Sequence, residues 1–180
     1  MSERLTLSDR LTLGVVIRIP QPHATVLTNW RHRVGDPLAA EIPPHVTLLP
    51  PTEIDRGDLA VVDKHLQAAA AGCASFPMHL AGTGTFRPLS PVVFIQVARG
   101  LADCEVLERA VRSGPLDREL EFPYHPHVTV AHHVSDEALD EAYDGLADFV
   151  ARFPVGSFQL FELVPGTGWT LYAEYELGAT

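Results

Sequence analysis

The chain is poor in cysteine, in positive charge and in long apolar runs. Its only cysteines, Cys73 and Cys104, lie far apart and form no CxxC pair, so they read as two reduced thiols without metal or redox spacing. Thirteen Lys and Arg face 23 Asp and Glu, a net charge of -10. Extensive binding to duplex nucleic acid neutralises many phosphates, and this balance argues against it. A small phosphorylated ligand, or the end of an RNA strand held by two or three groups, remains open. The longest apolar runs, such as residues 92–95, are far too short to span a bilayer. The opening MSERLTLSDR is polar and unlike a signal peptide. A cytoplasmic protein with no membrane partner is expected. No H-E-x-x-H occurs, and the glycine-rich stretch at 82–84 lacks the Lys-Ser/Thr ending of a P-loop.

What is present is an ordinary globular composition, 46% hydrophobic and 20% charged over 180 residues, enough to bury a core without covalent staples. Strands are expected at 11–19, 45–49, 78–86, 91–98, 127–133, 157–164 and 169–177, from β-branched runs bounded by Pro and Gly. Helices are expected at 24–34, 58–71, 101–113 and 135–153, from apolar spacing and from terminal signals such as Gly35, Gly72 and Ser135. The order strand–helix–strand–helix–strand occurs twice. His45 to Leu48 matches His127 to Val130 at an offset of 82, and the second helices match at 78. The expectation is one α+β domain over 1–180. It would be a bilobal pseudo-symmetric duplication with two mostly antiparallel sheets, outer helices and a central cleft.

The repeat carries a paired His-x-Thr motif. Side chains at i and i+2 share one face of a strand, so His45 projects with Thr47, and His127 with Thr129, while Val46, Leu48, Val128 and Val130 point the other way. Two imidazoles facing each other suit in-line displacement at phosphorus, which needs a base on the attacking oxygen and an acid on the leaving oxygen. The threonine hydroxyls suit the non-bridging oxygens, where charge develops. Such chemistry requires no metal and no cofactor.

On these residues the chain resembles the 2H phosphoesterase superfamily, which contains bacterial RNA 2'-5' ligases and cyclic phosphodiesterases. The likeness rests on His-Val-Thr-Leu at 45–48, on His-Val-Thr-Val at 127–130 and on Phe-Arg-Pro-Leu-Ser-Pro-Val-Val-Phe at 86–94, and it runs from about residue 11 to 177. It implies His45 and His127 as the catalytic pair, with His45 the proton donor and His127 the acceptor, and Thr47 and Thr129 as phosphate ligands. It implies action on 2',3'-cyclic phosphates or 2'-5' linkages of a small nucleotide or RNA end, with ligation as an alternative main activity. A non-catalytic module that binds a nucleotide or phosphometabolite in the same cleft is the alternative from another class.

Arg87, in a Gly-Thr-Gly-Thr-Phe-Arg loop, is a candidate further substrate contact. Arg18 stands within a strand, facing the cleft or pairing at an edge. His125 reads as a loop residue close to His127, and one of His132 and His133 as a rim residue. Phe86, Tyr124 and Trp169 are candidate base-stacking residues, although aromatics more often fill cores. A metal site on HPHVTVAHH is disfavoured, because it would leave His45 and the duplication without a role.

Overall fold

The computed structural model describes residues 9–178. The first eight residues of the polar opening segment, and the outermost ends of the 1–180 span, lie outside the described residues. In chain order the elements are β1 (Arg10–Arg18), α1 (His23–Arg33), β2 (His45–Asp55), α2 (Leu59–Ala71), β3 (Phe76–Thr85) and β4 (Val92–Arg99). They continue with α3 (Leu101–Val111), β5 (His127–His132), α4 (Asp136–Gly145), β6 (Val150–Val155), β7 (Ser157–Val164) and β8 (Gly168–Glu176).

Periodicity explains most of these elements. In α2 the buried residues are Val62, Leu66 and Ala70, one helical face at i, i+4 and i+8. In β1, Leu11, Leu13, Val15 and Ile17 enter the core while Thr12, Val16 and Arg18 stay more open. α4 begins at Ser135, whose hydroxyl accepts the Ala138 N–H at 3.2 Å. The strand expected at 45–49 runs on to Asp55 through Pro50 and Pro51. Leu13 pairs with Thr52 and Val15 with Leu49, so both prolines fall opposite Gly14 in a bulge. There the ladder is interrupted and two missing N–H groups cost nothing.

The helix expected over 135–153 is corrected. α4 ends at Gly145, and residues 150–155 form β6, paired antiparallel with β3 from Phe76↔Val155 to Ala81↔Val150. Short apolar runs fit either period. Here Pro154 cannot sit in a helix interior, and burial of Ala151 and Val155 follows a strand rhythm.

The strands make one mostly antiparallel sheet in the order β6-β3-β4-β5-β2-β1-β7-β8, with helices packed on it. Where two sheets were expected, two four-stranded groups are joined at a seam by one pair, Val46↔Val128, between β2 and β5. The order is mirrored about that seam: β5, β4, β3 on one side match β2, β1, β7 on the other. Thus β3, from the first half of the chain, lies beside β4, and β7, from the second half, lies beside β1.

Candidate active site

The seam brings the two His-x-Thr motifs together. Val46 and Val128 are fully buried and point into the core, so their neighbours project from the opposite face. Continuing the antiparallel register from Val46↔Val128 sets His45 beside Thr129 and Thr47 beside His127. Each histidine thereby stands next to the other motif's threonine. The histidines occupy a diagonal, for which separations of roughly 7–8 Å, somewhat less between Cβ atoms, are usual, a gap suited to a tetrahedral group between two rings. All four side chains are half-buried.

Both rings are held the same way. His45 Nδ1 donates to the Pro43 carbonyl at 2.8 Å, and His127 Nδ1 donates to the His125 carbonyl at 2.7 Å. A carbonyl only accepts, so Nδ1 carries a proton whether the ring is neutral or charged. The reactive nitrogen is Nε2 in each case, a lone pair in one state and an N–H in the other. The prolines at 44 and 126 precede each histidine and keep the approach extended, aiming the i−2 carbonyl back at the ring.

Burial lowers the pKa of both rings below the usual histidine value, and the backbone hydrogen bonds oppose it. His45 is lowered further by the charges of Arg31 and His127, and His127 by that of His125. A proton on one catalytic ring therefore disfavours a second proton on the other. A doubly protonated pair is thus disfavoured, and at least one ring keeps a free Nε2 lone pair.

Several neighbours carried no sequence signal for their roles. Arg31 and Asp36 form a buried ion pair, Nε to Oδ2 at 3.0 Å. The Arg31 guanidinium also donates to the Ile42 carbonyl, and Asp36 accepts the Leu38 N–H at 2.9 Å. This clasp fixes the chain leading into His45. Its residues line a small cavity of about 160 Å³ with His45, Thr129 and His132. Tyr124, a candidate for base stacking, instead donates its hydroxyl to the Thr47 carbonyl at 2.9 Å. Phe86 and Phe94 pack against the His127 ring, with centroids 5.0 and 5.2 Å away. His125 is exposed, as a loop residue should be, and acts on His127 through its carbonyl.

Trp169 lies in a mostly apolar cavity of about 190 Å³ with His45, Thr47, Gly14, Val16 and Phe161. A Cβ on Gly14 would come within 3.3 Å of the Trp169 ring, so glycine there permits the close approach. Arg87 is held elsewhere. Its guanidinium pairs with Asp140 of α4 at 2.8 Å and lies beside the Thr85 hydroxyl. Cys73 and Cys104 are free thiols, and burial pushes that of Cys104 up to about 12.

Comparison with known proteins bears on the family and the fold. The chain is 29% identical over 178 residues to a Halalkalibacterium halodurans protein named "Putative phosphoesterase BH1439", covering 93% of this chain and 98% of that one. Its fold matches apo E. coli LigT with a TM-score of 0.70 and 19% identity, over 95% of this chain and 99% of that chain. It also matches E. coli LigT complexed with 3'-AMP, with a TM-score of 0.64 and 17% identity, over 93% of this chain and 98% of that chain. The resemblance to the 2H phosphoesterases, read from the two His-x-Thr motifs and the segment at 86–94, is borne out over most of the chain. The family model of the 2'-5' RNA ligase superfamily matches residues 19–166, and this chain belongs to that superfamily.

Proposed function

We propose that this protein is a metal-independent phosphodiesterase acting on 2',3'-cyclic phosphate or 2'-5' linkages of nucleotides or RNA ends, with His45 and His127 as acid and base. The observation that carries the reading is the matched pinning of the two rings by the carbonyls of Pro43 and His125, with each ring set beside the opposite threonine. In hydrolysis, Nε2 of one histidine takes a proton from water as the water oxygen bonds to phosphorus. The P–O bond to ribose breaks, and the leaving oxygen takes its proton from Nε2 of the other histidine. Thr47 and Thr129 donate hydroxyl protons to the non-bridging oxygens. The resemblance implies His45 as donor and His127 as acceptor. A ribose hydroxyl in place of water would run the same steps toward ligation.

The Trp169 cavity, beside Thr47, suits a nucleobase lying on an indole face. That E. coli LigT has been crystallised with 3'-AMP supports a ribonucleotide here. Arg87 is the remaining candidate contact, and a phosphate would take its guanidinium from Asp140.

The test is hydrolysis of a 2',3'-cyclic mononucleotide in excess EDTA. Wild type should turn over, and His45→Ala or His127→Ala should each lose at least ~100-fold, the usual scale for a general acid or base. Near-normal turnover in both variants would overturn the mechanism. Nucleotide binding without turnover in wild type would favour the binding module.

A further inference from the structure

A cavity beside the approach to His45 has no part in the chemistry above. It measures about 520 Å³ and lies where β1 ends and the chain enters α1. Pro43 and Pro44 form a wall between it and the two small cavities that His45 lines. Arg18 enters it from the strand position paired with His45. Opposed residues of an antiparallel pair share a face, so Arg18 stands on the catalytic face, one strand over from His45. Its side chain is exposed and makes no hydrogen bond or close ion pair among the described residues, and its charge reaches Glu174 on the cavity floor. By contrast Arg31, Arg33, Arg87 and Arg112 are all held by carboxylates.

The floor of this cavity is preorganised. Buried Gln159 accepts the Arg18 backbone N–H at 3.1 Å and donates its amide to Ser157 Oγ and to Glu174 Oε1. Ser157 donates to the same carboxylate oxygen at 2.6 Å. These bonds keep Glu174 ionised, with its pKa below the usual carboxylate range. Thr25, Thr28 and Asn29 of α1 line the facing wall. The cavity thus offers one cation, one acceptor carboxylate and several neutral polar groups. A polyanion would meet Glu174, and an apolar ligand would leave the polar groups without partners. One phosphate with a ribose and base attached meets both demands, and the volume falls in the range of small-ligand sites.

The near-symmetry of the site gives a direction. Gln96 on β4 pairs with His127 as Arg18 on β1 pairs with His45. The Gln96 amide is already committed to the Thr83 carbonyl at 2.7 Å. At the strand position paired with the histidine, a cation stands on the His45 side and a neutral amide on the His127 side.

We infer that this cavity is a second nucleotide subsite, with Arg18 binding an internal phosphate, so that the substrate is an oligonucleotide end of at least two nucleotides. The inference rests on the phosphodiesterase reading and deepens it. The terminal base lies at Trp169, the cyclic phosphate between the histidines, and the preceding nucleotide beyond Pro43 and Pro44.

The experiment compares kcat/KM for a 2',3'-cyclic mononucleotide with that for a dinucleotide ending in the same cyclic phosphate. Wild type should favour the dinucleotide by roughly tenfold, the scale of one charge-assisted hydrogen bond. Arg18→Glu should bring the ratio to about one, while Arg18→Lys should keep part of the preference. Thr28→Trp, which fills the cavity from α1, should lower the ratio as well. Equal use of both substrates by wild type, or a preference that survives Arg18→Glu and Thr28→Trp, overturns the inference while leaving the phosphodiesterase reading intact. Failure of wild type on both substrates overturns that reading, and the inference with it.

Discussion

Replacing Asp36 with alanine strands a charge. The Arg31 and Asp36 side chains are 6% and 2% exposed, so water cannot take the place of the lost carboxylate. The guanidinium would keep one protein acceptor among those described, the Ile42 carbonyl, and the Leu38 N–H would lose its partner. Breaking a buried pair from one side costs about 3–5 kcal/mol, because the remaining charge stays desolvated. At roughly 2–4 °C per kcal/mol for a chain of this size, Tm should fall by about 6–20 °C. Removing both charges is a different perturbation. Arg31→Met with Asp36→Leu leaves no buried charge, so the double variant should be at least ~2 kcal/mol more stable than Asp36→Ala. Urea unfolding followed by the fluorescence of Trp30 and Trp169 measures both variants. A loss within ~1 kcal/mol for Asp36→Ala, or a double variant no more stable than the single one, would refute the reasoning.

Three other outcomes are expected. kcat/KM should trace a bell in pH: burial lowers both rings, so the acid loses its proton, and the alkaline limb falls, below the ordinary histidine value of 6.5, while the acid limb falls as the base gains one. An alkaline midpoint above 7 in a rate–pH profile would contradict this. Gly145→Ala should destabilise the protein despite the better helix former: its Cβ would sit 2.0 Å from the Trp30 ring, and overpacking of about 1–3 kcal/mol outweighs a propensity gain of about 1 kcal/mol. Tyr124→Phe should cost about 0.5–1.5 kcal/mol in chemical denaturation through loss of the bond to the Thr47 carbonyl.

The paired motifs were legible because a strand's period of two puts His45 with Thr47 and hides Val46. The duplication was legible because matching elements recur near one offset. The neighbours of the site were not. The bond that orients His127 comes from a backbone carbonyl, a group every residue carries, so nothing marks position 125 for that role. Arg31 and Asp36 are five apart and acquire a partnership only when the segment through Ile42 closes over them. The partner of Arg87 is on α4, more than fifty positions away, and a loop arginine does not announce it. β6 was hidden because Phe149, Val150, Ala151 and Phe153 extend the apolar run of α4. Pairing with β3, a contact remote in sequence, decides their conformation.

The placement of β3 and β7 bears on how the chain can come apart. Each half of the chain contributes a strand that the other half needs, β3 alongside β4 and β7 alongside β1. A fragment ending near residue 90 would leave β1 without one neighbour and β3 without any of its own. The two halves are therefore interlocked, and neither has a complete sheet to fold by itself. Loss of tertiary structure should begin and end in both halves together, and severed halves should recover structure only when mixed.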